Sequence, residues 1–68
     1  MPWDGSYKAP KDKFRVIGED KFRMPPQEYF VGDFPDLDAA RKAAKEQAGP
    51  MNPAMVYNDS GEEVALFE

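Results

Sequence analysis

One stretch, Asp36 to Gly49, carries both ends and one full face of a helix, and no other part of the chain does. Asp36 suits the N-cap, where its carboxylate accepts from the free N–H groups of the first turn. Asp38 adds negative charge at the positive end of the helix dipole. Gly49 can adopt the left-handed conformation that closes a helix, and Pro50 cannot continue one. Between those ends Leu37, Ala40, Ala44 and Ala48 recur at spacings of three and four, giving one apolar stripe of helical period. The stripe is mostly alanine, so the helix can approach closely whatever it covers, and aromatic side chains from the other layer must complete the core. Arg41, Lys42 and Lys45 lie off the stripe. They are either an anion-binding face or a solvated one with an Asp38–Lys42 pair at i,i+4.

Both flanks of the helix read as strand pairs. Lys13 to Glu19 alternates and contains β-branched residues, with Phe14 and Val16 on one face and Arg15 and Ile17 on the other. Pro25 and Pro26 then interrupt any ladder. Gln27 to Asp33 is the second strand, in which Gly32 suggests a bulge or a close backbone approach. After the helix, Ala54 to Asn58 and Glu62 to Phe67 form a third and fourth strand. They are joined by Asn58-Asp-Ser-Gly61, a bulged-hairpin signal in which Gly61 supplies a positive φ. Residues 1–12 hold Pro2, Gly5, Pro10 and scattered charges, and read as a flexible or loosely docked tail. Trp3 and Tyr7 in it either fold back on the domain or contact a partner.

The element order is therefore β-β-α-β-β, in a single domain over residues 13–68. If the first strand lies between the second and third, every neighbouring pair is antiparallel and a right-handed crossover puts the helix on one face. The expected fold is two-layer α+β, one helix on a four-stranded antiparallel sheet of order 2-1-3-4. The expected core is Phe14, Val16, Val31, Phe34, Leu37, Ala40, Ala44, Val56, Val64 and Leu66.

Composition narrows the chemistry. The chain has 68 residues, no Cys and no His, which removes disulfide staples, the usual general base and the thiolate nucleophile, and leaves a structural zinc site without its ligands. There is no Thr, and neither Ser6 nor Ser60 has a base beside it. Glu19–Asp20 and Glu62–Glu63 are neighbours on strands and point to opposite faces, so they do not converge as a catalytic pair. Asn58 to Glu63 fails the calcium-loop spacing, since Val56 and Phe67 would fall at the first and last ligand positions. The expectation is a protein that is not an enzyme and holds no cofactor or metal. No apolar run approaches the ~20 residues of a membrane span, and the N-terminus lacks the features of a signal peptide. A chain without cysteine suits a reduced, cytoplasmic compartment.

What remains is aromatic. Ile17, Tyr29 or Phe30, Tyr57 and Phe67 are expected on the sheet face away from the helix, and Phe22 with Met24 on the proline-rich loop. Together Ile17, Phe22, Met24, Tyr29, Tyr57 and Phe67 form the candidate interaction surface, since exposed apolar patches of a few hundred Å² or more mark contact sites. Sheet aromatics can also stack single-stranded nucleic acid. The net charge of −4 disfavours that, and anionic membranes too. A protein partner or a homodimer is the better expectation.

Three segments, Phe14-Arg-Val-Ile-Gly-Glu-Asp20, Val31-Gly-Asp-Phe-Pro-Asp-Leu-Asp-Ala-Ala40 and Val56-Tyr-Asn-Asp-Ser-Gly61, together resemble a pattern found in small uncharacterised bacterial proteins. An opening strand ends in a Gly-acid step, a Gly-Asp-aromatic entry leads into an Ala-rich helix, and a Val-Tyr-(Asp/Asn)-Asp-x-Gly hairpin follows. The resemblance implies a β-β-α-β-β domain of unknown function and transfers no catalytic or ligand residues.

Overall fold

A computed structural model describes residues 5–68, so Trp3 lies outside the described residues. The elements are β1 (Phe14–Asp20), β2 (Gln27–Phe34), α1 (Leu37–Gln47), β3 (Ala54–Tyr57) and β4 (Glu63–Phe67). They form a four-stranded sheet of order β2-β1-β3-β4 in which every neighbouring pair is antiparallel. The helix covers one face. This is the α+β arrangement expected from the order of the elements.

The helix begins as its sequence requires. Asp36 sits in an extended conformation, and its Oδ1 accepts from the Ala39 N–H at 2.7 Å. It ends differently. Gln47 is the last helical residue, Ala48 is the extended C-cap, and the Ala48 N–H donates to Ala44 O at 2.9 Å. Gly49 is not left-handed. Pro50 biases its predecessor toward extended backbone, and Gly49 instead exchanges two backbone hydrogen bonds with Asn52.

The core is small and lies where the alanine stripe meets the middle of the sheet. Val16, Ala40, Ala44, Ala54 and Val56 are fully or almost fully buried together. Val16 faces Gly32 on one side and Val56 on the other, and Val56 faces Ala65. These small side chains let the helix approach, and Phe14, Phe34, Leu37 and Phe67 close the perimeter.

Two bulges decide which residues face inward. On β2 the register shifts between Val16 and Ile17, so Gly32 and Phe30 have partners and Val31 is the extra residue. That sends Val31 to the core and Phe30 to the open face. On β4 a second shift pairs Val56 with Ala65 but Tyr57 with Glu63, leaving Val64 extra. Ala65 and Phe67 therefore face the helix. Val64 and Leu66, expected in the core, are 42% and 51% exposed. A one-residue change in register moves an entire side-chain row to the other face.

Residues 6–9 lie across the open face. Arg15 Nη1 donates to Ser6 O at 3.0 Å, and the Ala9 N–H donates to Asn58 O at 3.1 Å. The Tyr7 ring packs on Tyr57 with centroids 5.0 Å apart, and its hydroxyl donates to Glu28. Tyr57 is on β3 and Glu28 on β2, so Tyr7 crosses over β1, which lies between them. Ile17, on that face of β1, is fully buried although no helix covers it.

Candidate functional site

The six residues singled out from the sequence fall in separate places. Ile17 is buried under the N-terminal strap. Tyr57 is on the open face and partly covered by Tyr7. Burial raises the Tyr57 phenol above its ordinary pKa of 10.0, and the nearby Glu63, Glu28 and Glu19 carboxylates add to the effect. The Tyr7 phenol is pushed up to about 12, chiefly by donating to Glu28, with burial and the Glu28 charge contributing next. Both hydroxyls hold their protons firmly at neutral pH. They therefore serve as packing surface and hydrogen-bond donor, not as bases or nucleophiles.

Phe67 faces the helix side, at the perimeter of the core. Tyr29 is opposite Gly18, and its ring lies against that glycine on the Val16 side of the strand. A Cβ built on Gly18 would come within 2.4 Å of the ring. Only glycine allows this approach without displacing the tyrosine. Tyr29 also lines a shallow depression with Asp20, Phe22 and Asn52. Phe22 and Met24, 74% and 92% exposed, lie on the β1–β2 connection. That connection lies beside the loop carrying Met51, whose O accepts from the Lys21 N–H at 2.9 Å.

The open face has a central charged clamp that sequence reasoning missed. Arg15 binds Asp33 in a fork, Nε to Oδ1 at 2.7 Å and Nη2 to Oδ2 at 3.0 Å, and both side chains are mostly buried. Its guanidinium carbon also stands 5.1 Å from the centroid of Phe30. The alternation that put Arg15 on this face was visible in the sequence. Gly32 signalled a bulge or close approach on β2, but not that it would bring Phe30 beside Arg15.

The strap, the tyrosine pair and the Arg15 clamp thus occupy the middle of the open face. Apolar surface remains at its β4 side, where Val64 and Leu66 stand exposed next to almost fully buried Met55, which pairs with Leu66. Covering a half-exposed leucine and valine stabilises a complex by about 1 kcal/mol each. On the helix side of the same strand, Phe67 shares a groove with Asp38, Arg41, Lys42 and Lys45. None of these three cations has an ion-pair partner among the described residues, and the Asp38–Lys42 pair is not formed.

Among the described residues no group of three or more acidic side chains is arranged to hold a metal ion. No helix among them is long and apolar enough to cross a membrane. No family model, curated protein or solved structure matches this chain.

Proposed function

We propose that this domain is a non-catalytic protein-interaction module and that its contact surface is the β4 side of the open sheet face. The observation that carries the reading is the exposure of Val64 and Leu66, on a strand whose other face is committed to the core. Their neighbours on that face, Ile17 and Tyr57, already have intramolecular cover. A chain of 68 residues with no His, Cys or Thr has few groups for acid–base or nucleophilic work, which supports a binding role. Nucleic-acid stacking on the sheet is the weaker reading, because Tyr57 and Phe30 are engaged by Tyr7 and Arg15. A reducing, cytoplasmic setting fits a chain without cysteine.

The test is comparative capture from native lysate by three folded proteins: the wild type, a Val64→Lys/Leu66→Glu variant, and a Phe22→Ser/Met24→Ser variant. Both double variants alter exposed side chains, and amide spectra check that each retains the native fold. The expected result is a set of proteins lost with the β4 variant and kept with the loop variant. An unchanged set from the β4 variant refutes the assignment.

A further inference from the structure

Among the described residues no strand pairs with the outer edge of β4, and its two sides differ in a way that specifies a partner. β4 is an edge strand, so its outward N–H and C=O groups have no neighbouring strand in the sheet. On one side stand Val64 and Leu66. On the other is the groove between Phe67 and the flank of α1, which carries Arg41, Lys42 and Lys45 against the single carboxylate of Asp38. Ala40 and Ala44 face the sheet, so Arg41 and Lys45, each one residue further on, turn about 100° from them. These three are the only basic residues after Arg23, in a stretch otherwise rich in carboxylates. All are exposed and lie on one flank, bordering the open edge.

Resting on the protein-interaction reading, we infer that β4 accepts an extended, acidic segment of a partner protein as a fifth strand of the sheet. The side chains of an added strand alternate between the two faces. Those on the open face meet Val64 and Leu66, and the alternate ones enter the groove beneath the cations. Apolar residues suit the first set and carboxylates the second. A second copy of this chain is a poorer occupant. Two-fold pairing of β4 with itself would bring two sets of Arg41, Lys42 and Lys45 toward each other, and like charges across an interface oppose association.

The probe is an end-blocked peptide of about seven residues alternating aspartate and valine, long enough to pair with the five residues of β4. A lysine–valine peptide is the control, and the readout is amide chemical shift in the labelled, full-length protein. The aspartate peptide should shift the amides of Glu63 to Phe67 and of the α1 flank. It should bind about tenfold or more tightly than the control, as two or three exposed ion pairs allow. The Arg41→Glu/Lys45→Glu variant should reverse that preference. The inference is overturned if β4 amides do not respond, if both peptides bind alike, if the variant keeps the wild-type preference, or if β4 shifts track protein concentration without peptide, as self-pairing would produce. Failure of the peptide with Val64/Leu66-dependent capture intact sinks strand addition alone; loss of both sinks the parent reading as well.

Discussion

Replacing Gly18 by alanine tests the packing of Tyr29 on β1. Gly18 has no positive φ, so alanine there meets no backbone penalty. In isolation the change would stabilise by about 0.4–1 kcal/mol, through loss of unfolded-state freedom. Tyr29 opposes it. Two ring carbons and the hydroxyl oxygen of Tyr29 lie 2.4, 2.6 and 2.6 Å from the new Cβ, against about 3.5–4 Å for ordinary contact. The ring must retreat by about 1 Å or more, toward the depression lined by Asp20, Phe22 and Asn52. Displacing a partly buried aromatic ring loses about 1–2 kcal/mol of burial. Gly18→Ala should therefore destabilise the native protein by up to about 1.5 kcal/mol, or about 4–8 °C in Tm for each kcal/mol. In a Tyr29→Ala background the same substitution should be neutral or stabilising. Urea and thermal unfolding of the four proteins, followed by circular dichroism, should give a coupling energy of about 1–2 kcal/mol. Additivity within about 0.5 kcal/mol would refute the argument.

Two further outcomes follow from the same structure. Asp36→Ala removes the acceptor of the Ala39 N–H and should cost about 1 kcal/mol in urea unfolding; an unchanged midpoint would mean the cap adds nothing. The Tyr7 phenol is raised in the folded protein, so its contribution is complete below pH 10, the unfolded value, and disappears as pH rises through about 12. Ultraviolet difference titration should show Tyr7 and Tyr57 ionising above the ordinary range, and Tyr7→Phe should abolish the highest step; ionisation of Tyr7 and Tyr57 together near 10 contradicts this.

The helix and the sheet order were legible because each rested on a local, redundant signal. Asp36, the alanine stripe and Pro50 bracket one helix, and an antiparallel ladder around β1 then leaves few arrangements. The side-chain rows were harder. In β4 both alternating sets, Val64 with Leu66 and Ala65 with Phe67, are apolar, so periodicity cannot choose between them. Gly61 does take the positive φ expected of a bulged hairpin, at +85°. The separate register shift at Val64 is a tertiary matter. Phe67 is needed to close the core beside an alanine helix, and Val64 and Leu66 are thereby turned outward. The same holds for β2, where Gly32 marked an irregularity without saying that Val31 would be the extra residue. For the strap, Tyr7 stood out in the sequence as a tail aromatic that folds back or meets a partner, and it does fold back, but nothing local said where it would dock. Tyr7 and Ala9 are held by Tyr57, Glu28 and Asn58, far along the chain.

That distance has a consequence for how the chain reaches its native state. The Asp12 N–H donates to Asp59 Oδ2 across 47 positions, and Ala9 is anchored beside it on Asn58. Ala9 and Asp12 thus find their acceptors only after a stretch more than forty residues further along has been made. Closing so long a loop costs entropy that no local contact offsets. Asn58 and Asp59 lie just after the end of β3, so this clasp has its acceptors in place only once β3 stands beside β1.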